Sequence, residues 1–180
     1  MRAFLAIDLP DQTCDALAAL QRRLGIGRHT LRENLHLTVA FLGEQQDAVM
    51  ADVDDALLAL EVPRFALSVS GLGTLGTPEP QILFAGVAPC EGLEALHRKV
   101  RSSLRGVGLT LPRERFRPHV TLARFAHGLT GAEIERLAAY LGRNAAFSLE
   151  PFVVTALSLY RSTLRPSGPV HDLLTRYPLR

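Results

Sequence analysis

Two apolar periods alternate along this chain, and the switches between them mark its elements. Short aliphatic and aromatic runs at Arg2 to Asp8, Leu35 to Leu42 and His119 to Phe125 have the length and the flanking turn residues of strands. Between them, apolar positions three and four apart predict helices over Asp11 to about Leu24, Asp47 to Leu60, Glu91 to Arg105 and Thr130 to Leu141. Gly25 and Gly27 end the first helix and Pro63 stops the second. Arg64 to Leu72 and Gln81 to Val87 read as a hairpin with a Gly/Pro-rich tip, and two last strands fall near Phe147 to Thr155 and Ala156 to Ser162. In each half a helix, a loop, a strand and another helix follow one another. That order predicts an α+β protein in which residues 1–180 form two similar lobes, each a small sheet backed by helices.

Two of the strand runs carry the same polar punctuation. His36-Leu37-Thr38-Val39 and His119-Val120-Thr121-Leu122 each place a histidine and a threonine two residues apart, on one face of a strand whose apolar neighbours face a core. Two such strands facing each other present two imidazoles and two hydroxyls to one cleft. Those groups suit a phosphodiester: one imidazole takes a proton, the other gives one, and the hydroxyls hold phosphate oxygens. The competing reading is a pair of half-buried strand histidines with no chemistry. Strict alternation puts Arg124 on the face opposite His119, which leaves a phosphate role and a surface or inter-strand role both open. Phe41 and Phe84 have the ring to stack on a base, but a strand aromatic is more often core. His29, His97, His127 and His171 lack a threonine partner and read as surface or capping residues. The glycine-rich Gly71 to Gly76 lacks the lysine of a phosphate-binding loop and reads as a hairpin tip.

Composition narrows the partners. The chain has 180 residues, 47% of them hydrophobic, enough for one good core, and its formal charge is +2. That small sum hides an uneven spread, since Arg98 to Arg124 holds eight basic residues against the single acid Glu114. A smaller group, Arg22, Arg23, Arg28 and Arg32, precedes the first motif, and arginine forks in such a field favour a nucleic-acid or nucleotide substrate bordered by this stretch. Cys14 and Cys90 are too far apart in sequence for a metal arrangement and read as free thiols of a cytoplasmic protein. The apolar run Ala3 to Ile7 is too short to span a membrane or serve as a signal peptide.

Taken together, these segments resemble the two-histidine phosphoesterase superfamily, and within it the RNA 2',3'-cyclic phosphodiesterases formerly called 2'-5' RNA ligases. The likeness runs from Met1-Arg2-Ala3-Phe4-Leu5-Ala6-Ile7 through Asn34 to Gly43, Gln81 to Val87 and Phe116 to Arg124, to Leu159-Tyr160-Arg161-Ser162. It implies a single bilobal α+β domain over residues 1–180, with antiparallel sheets backed by helices and a central cleft between them, and hydrolysis of RNA 2',3'-cyclic phosphate ends to 2'-phosphates, with no metal and no cofactor. It further implies His36 as proton donor, His119 as proton acceptor, and Thr38 and Thr121 as binders of phosphate oxygens. Arg124 accompanies the second motif in the family, and Phe84 stands where tryptophan is usual, so both become candidate substrate-binding residues. His171 takes a place often held by tyrosine. The expected partner is an RNA or oligonucleotide with a 2',3'-cyclic phosphate end, met by a monomer without membrane contact. Two other readings stand beside this one: joining of RNA ends through a 2'-5' linkage, and a nonenzymatic RNA-binding module.

Overall fold

Strand β1 (Arg2–Asp8) leads into helix α1 (Asp11–Arg22), the two-residue strand β2 (Arg28–His29) and the first motif strand β3 (His36–Glu44). Helix α2 (Asp47–Leu58), strands β4 (Phe65–Leu67), β5 (Val69–Leu75) and β6 (Ile82–Val87), and helix α3 (Glu91–Gly106) follow. The second motif strand β7 (His119–Arg124) comes next, then helix α4 (Gly131–Arg143) and strands β8 (Phe152–Val154), β9 (Ala156–Arg165) and β10 (Gly168–Pro178). The computed structural model describes residues 1–180 except Glu114, Ala126, His127 and Ser167. All four predicted helices are present. The surprises are strands: β10 was not expected, and the segment read as one strand from Arg64 to Leu72 splits into β4 and β5.

The main sheet has the order β10-β9-β1-β3-β7-β6-β5, with β2 also pairing β7, while β4 and β8 form a separate two-stranded sheet. Every one of these pairings is antiparallel. Among the described residues, β3 and β7 pair at one position, Leu37 with Val120. The two expected half-sheets therefore join into one at the middle residue of each motif.

The helices cover the sheet because their apolar positions recur at helical spacing. Helix α3 buries Leu93, Leu96, Val100 and Leu104, and α1 buries Cys14, Leu17, Leu20 and Gln21. Thr130 and Glu133 cap the start of α4 reciprocally. One apolar cluster runs through the molecule, from Ala3 of β1 to Leu179 beyond β10. No helix among the described residues is long and apolar enough to cross a membrane.

Both motif strands contain a β-bulge at the same place. Opposite β1, Leu5 pairs with Ala40 and Ala6 with Thr38, so Val39 is an extra residue. Opposite β6, Leu83 pairs with Ala123 and Phe84 with Thr121, so Leu122 is extra. An extra residue reverses the alternation beyond it, and both strands then share one burial sequence: half-buried histidine, buried aliphatic, half-buried threonine, two buried apolar residues, one exposed side chain. That last position is Phe41 in β3 and Arg124 in β7. The expectation that Arg124 faces away from His119 is thus corrected, and so is the expectation that Phe41 is core.

A buried glutamine braces the second bulge. The Leu122 carbonyl accepts from the Thr30 amide at 2.8 Å and from Gln21 Nε2 at 2.7 Å, and the same Nε2 donates to the Thr30 carbonyl at 2.9 Å. Gln21 is only 4% exposed, so losing these bonds leaves carbonyls short of donors in a dry setting. Replacing Gln21→Leu is expected to lower unfolding stability by about 1–3 kcal/mol, read from the urea midpoint at constant m-value. An unchanged midpoint would show that the glutamine does not support the bulge.

Candidate active site

About the Leu37–Val120 pair, antiparallel geometry sets His36 level with Thr121 and Thr38 level with His119. All four side chains line one cleft of about 810 Å³, with Phe41 and Arg124 on its walls. The structure thus brings together both histidines, both threonines and Arg124, as the sequence motifs predict for the first four.

The two imidazoles are oriented alike and solvated differently. His36 Nδ1 donates to the Asn34 carbonyl at 2.8 Å, and His119 Nδ1 donates to the Arg117 carbonyl at 2.7 Å. Each acceptor lies two residues before its histidine. With Nδ1 carrying the proton, the neutral His36 ring has its lone pair on Nε2, where it accepts from the Thr38 hydroxyl at 3.1 Å. Phe4 stacks on the His36 ring at 4.8 Å and His171 meets it edge-on at 5.3 Å. Burial by these neighbours pushes the His36 pKa down to about 4, against a rise from the Asn34 carbonyl, with the nearby charges of His171 and His119 adding to the fall and that of Asp8 opposing it. Asp8 is itself held by Ser158, Tyr160 and Arg176, with oxygen contacts of 2.8, 2.6 and 3.2 Å.

Other expectations need adjustment. Phe84 is absent from the cleft lining: its ring fills the space where a Cβ on Gly73 would sit, and lies 5.3 Å from the His119 ring, backing that histidine. Phe41 is 65% exposed and faces the cleft. His171 and His29, read as surface or capping residues, also line it. His97 instead stacks on Phe116 at 3.9 Å, and His127 lies outside the described residues.

The arginine-rich stretch does not border the cleft as expected. Arg98 faces Glu94, Lys99 reaches the Glu61 carbonyl, and Arg101 donates to the carbonyls of Leu111 and Pro112. Arg115 and Arg117 are outside the cleft lining, and from this stretch Arg124 alone enters it. From the smaller group Arg28 enters, while Arg32 is engaged by Asp11 and Asp15. Charge counting could not anticipate this, because side-chain direction depends on pairing and bulges.

Comparison with known proteins agrees with this architecture. The sequence pattern of the 2'-5' RNA ligase superfamily matches residues 9–165. An RNA 2',3'-cyclic phosphodiesterase of Thermus thermophilus is 33% identical over 195 residues, covering 100% of this chain and 91% of the relative. Another from Aeropyrum pernix is 30% identical over 144 residues, covering 79% and 80%. The crystal structure of E. coli LigT complexed with 3'-AMP superposes with a TM-score of 0.80 at 25% identity, covering 99% of this chain and 97% of that one.

Because His36 binds a proton less readily folded than unfolded, the unfolded chain takes up more protons between about pH 4 and the ordinary histidine value near 6.5. Stability from this group is therefore complete above pH 6.5 and falls as the pH drops towards 4. In an NMR titration of the free protein, the His36 ring is expected to stay neutral until about pH 4. A midpoint near 6.5 would refute the burial argument.

Proposed function

This chain belongs to the 2'-5' RNA ligase superfamily, and on that footing we propose that it hydrolyses RNA 2',3'-cyclic phosphate ends to 2'-phosphomonoesters. The observation that carries the reading is the placing of two imidazoles and two threonine hydroxyls around one backbone pair in one cleft. In-line displacement at phosphorus needs a proton acceptor on the side of the attacking water and a proton donor on the side of the departing oxygen. His119 takes the water proton as the new P–O bond forms. His36 protonates the 3'-oxygen as the P–O3' bond breaks, so the phosphate stays on the 2'-oxygen. Thr38 and Thr121 donate to the non-bridging oxygens, and the step requires no metal or cofactor.

The low proton affinity of His36 keeps the ring neutral in the free protein. It becomes protonated only when the cyclic phosphate anion arrives, because an opposite charge in a partly dry cleft favours the imidazolium. Substrate binding therefore carries a proton in with it. Phe41, exposed on the β3 wall, offers its face to the terminal base.

Incubating the protein in EDTA with a short RNA ending in a 2',3'-cyclic phosphate is expected to yield a 2'-phosphate at an unchanged rate. The pH profile should be bell-shaped, because one imidazole must be charged while the other is neutral. His36→Ala and His119→Ala should each lower turnover by about two to four orders of magnitude, and Phe41→Ala should raise KM by about 5-fold or more through lost stacking. Near-normal turnover by either histidine variant removes that residue from the chemistry. A 3'-phosphate product would reverse the assignment of the leaving oxygen.

A further inference from the structure

A second cavity of about 590 Å³ lies beside the cleft, and the residues shared by the two linings form a sill between them. Arg28, Ile82 and Arg124 line both spaces. The far wall is formed by Pro78, Glu79, Pro80 and Gln81, with Phe125 beside them. This space has the size of a nucleotide site.

The sill carries an unusual pair of charges. Arg28 and Arg124 are direct partners across β2 and β7. Residues opposite one another in an antiparallel pair project from the same face with Cβ atoms about 4.5–5.5 Å apart, and like charges there destabilise the sheet. Among the described residues neither arginine forms an ion pair with a carboxylate. Partial burial, and then the neighbouring Arg28, lower the proton affinity of Arg124, so the folded protein carries the electrostatic cost of this pair. Arg28 Nη2 lies 4.0 Å from the position a Cβ on Gly168 would take, which sets its guanidinium at the cleft mouth towards the start of β10. An anion between the two forks would remove the repulsion and satisfy both.

We propose that the second cavity is a subsite for the nucleotide next to the cyclic end, and that Arg28 and Arg124 together grip the phosphate linking it to the terminal nucleotide. The inference rests on the proposed reaction, and it names the substrate as an RNA strand end in preference to a cyclic mononucleotide. From Thr121 to Arg124 the strand advances only two partner positions on β6, from Phe84 to Ile82, because Leu122 is the extra residue of the bulge, and that is about 7 Å at ordinary strand rise. That is about one nucleotide step beyond the reacting phosphorus. Glu79 is not ion-paired to either guanidinium, so its carboxylate is left to accept from ribose hydroxyls or base N–H groups on the far wall. Gln81 offers a second polar contact there.

The test compares a dinucleotide ending in a 2',3'-cyclic phosphate with a nucleoside 2',3'-cyclic phosphate, using the full chain. The wild-type protein is expected to favour the dinucleotide in kcat/KM, and Arg28→Ala to lower that preference by about 10-fold through loss of a charge-assisted phosphate contact. The loss should fall on KM, and the salt dependence of dinucleotide binding should lessen by about one counterion. Arg28→Lys should restore part of it. An unchanged preference, or equal losses on both substrates, would overturn the subsite. If neither substrate is hydrolysed, the proposed reaction fails by itself. The subsite is then judged by fluorescence anisotropy of a labelled dinucleotide 3'-phosphate, where equal affinity of Arg28→Ala and wild type would overturn it.

Discussion

The contact between Leu37 and Val120 is the constraint on which the cleft depends. Each is fully buried, each sits between a histidine and a threonine, and their pairing is the one place where β3 and β7 join among the described residues. Since side chains alternate along a strand, burying these two residues forces their four polar neighbours to the opposite face. Apolar burial thus aims the polar groups. A slip of either strand by one residue at this seam would turn that strand's histidine and threonine together into the core and take them out of the cleft. Specificity of register here comes from the hydrophobic effect, which is stronger per residue than any contact the hydroxyls make.

How much of this was legible in the sequence follows from where period-two alternation holds. It holds from His36 to Thr38 and from His119 to Thr121, so the four central residues could be placed on one face without coordinates. It fails one step later, at Val39 and Leu122, because an apolar bulge residue followed by another apolar residue looks like a continuing buried strand. Arg124 was therefore assigned to the wrong face by parity, while Phe41 was read as core on the general preference of strand aromatics, and the bulge turns both towards the cleft. The missed strand β10 has a related cause: Leu173 pairs with Tyr160 and Thr175 with Leu159, so Leu174 is another extra residue and the alternation is broken. The helices were easier, since their spacing is set by burial on one side and no bulge intervenes. A signal was present all the same: when His36-Leu37-Thr38-Val39-Ala40-Phe41 is set beside His119-Val120-Thr121-Leu122-Ala123-Arg124, each strand shows two apolar residues after the threonine.

Electrostatic character was the least legible part. Nothing in the motif distinguishes the two histidines, yet His36 is enclosed by Phe4 and His171, which come from β1 and β10, at the far end of the chain from one another. Its environment is a product of sheet order. The arginines show the same dependence. Most of those in the two basic groups serve helix faces, carbonyls or acidic partners, and the ones that matter to the cleft are the two that β2 and β7 set opposite each other. Composition counts charges; only topology gives them direction.

The frame of the site is symmetric and its contents are not. Each motif strand supplies a histidine, a threonine and, after an identical bulge, one exposed side chain five residues beyond the histidine. On one wall that side chain is an aromatic ring, and on the other a guanidinium. A nucleotide has the same division, a flat apolar base on one side and an anionic backbone on the other, so a two-fold scaffold can hold it only if the symmetry is broken where the ligand's own chemistry diverges. The bulge makes that possible without disturbing the seam, because it lies one residue past the threonine. Its second copy has a brace, Gln21, which satisfies the displaced Leu122 carbonyl from a neighbouring helix. The face on which Arg124 emerges therefore depends on a bulge whose Leu122 carbonyl is held by a buried amide on α1 and by the Thr30 amide.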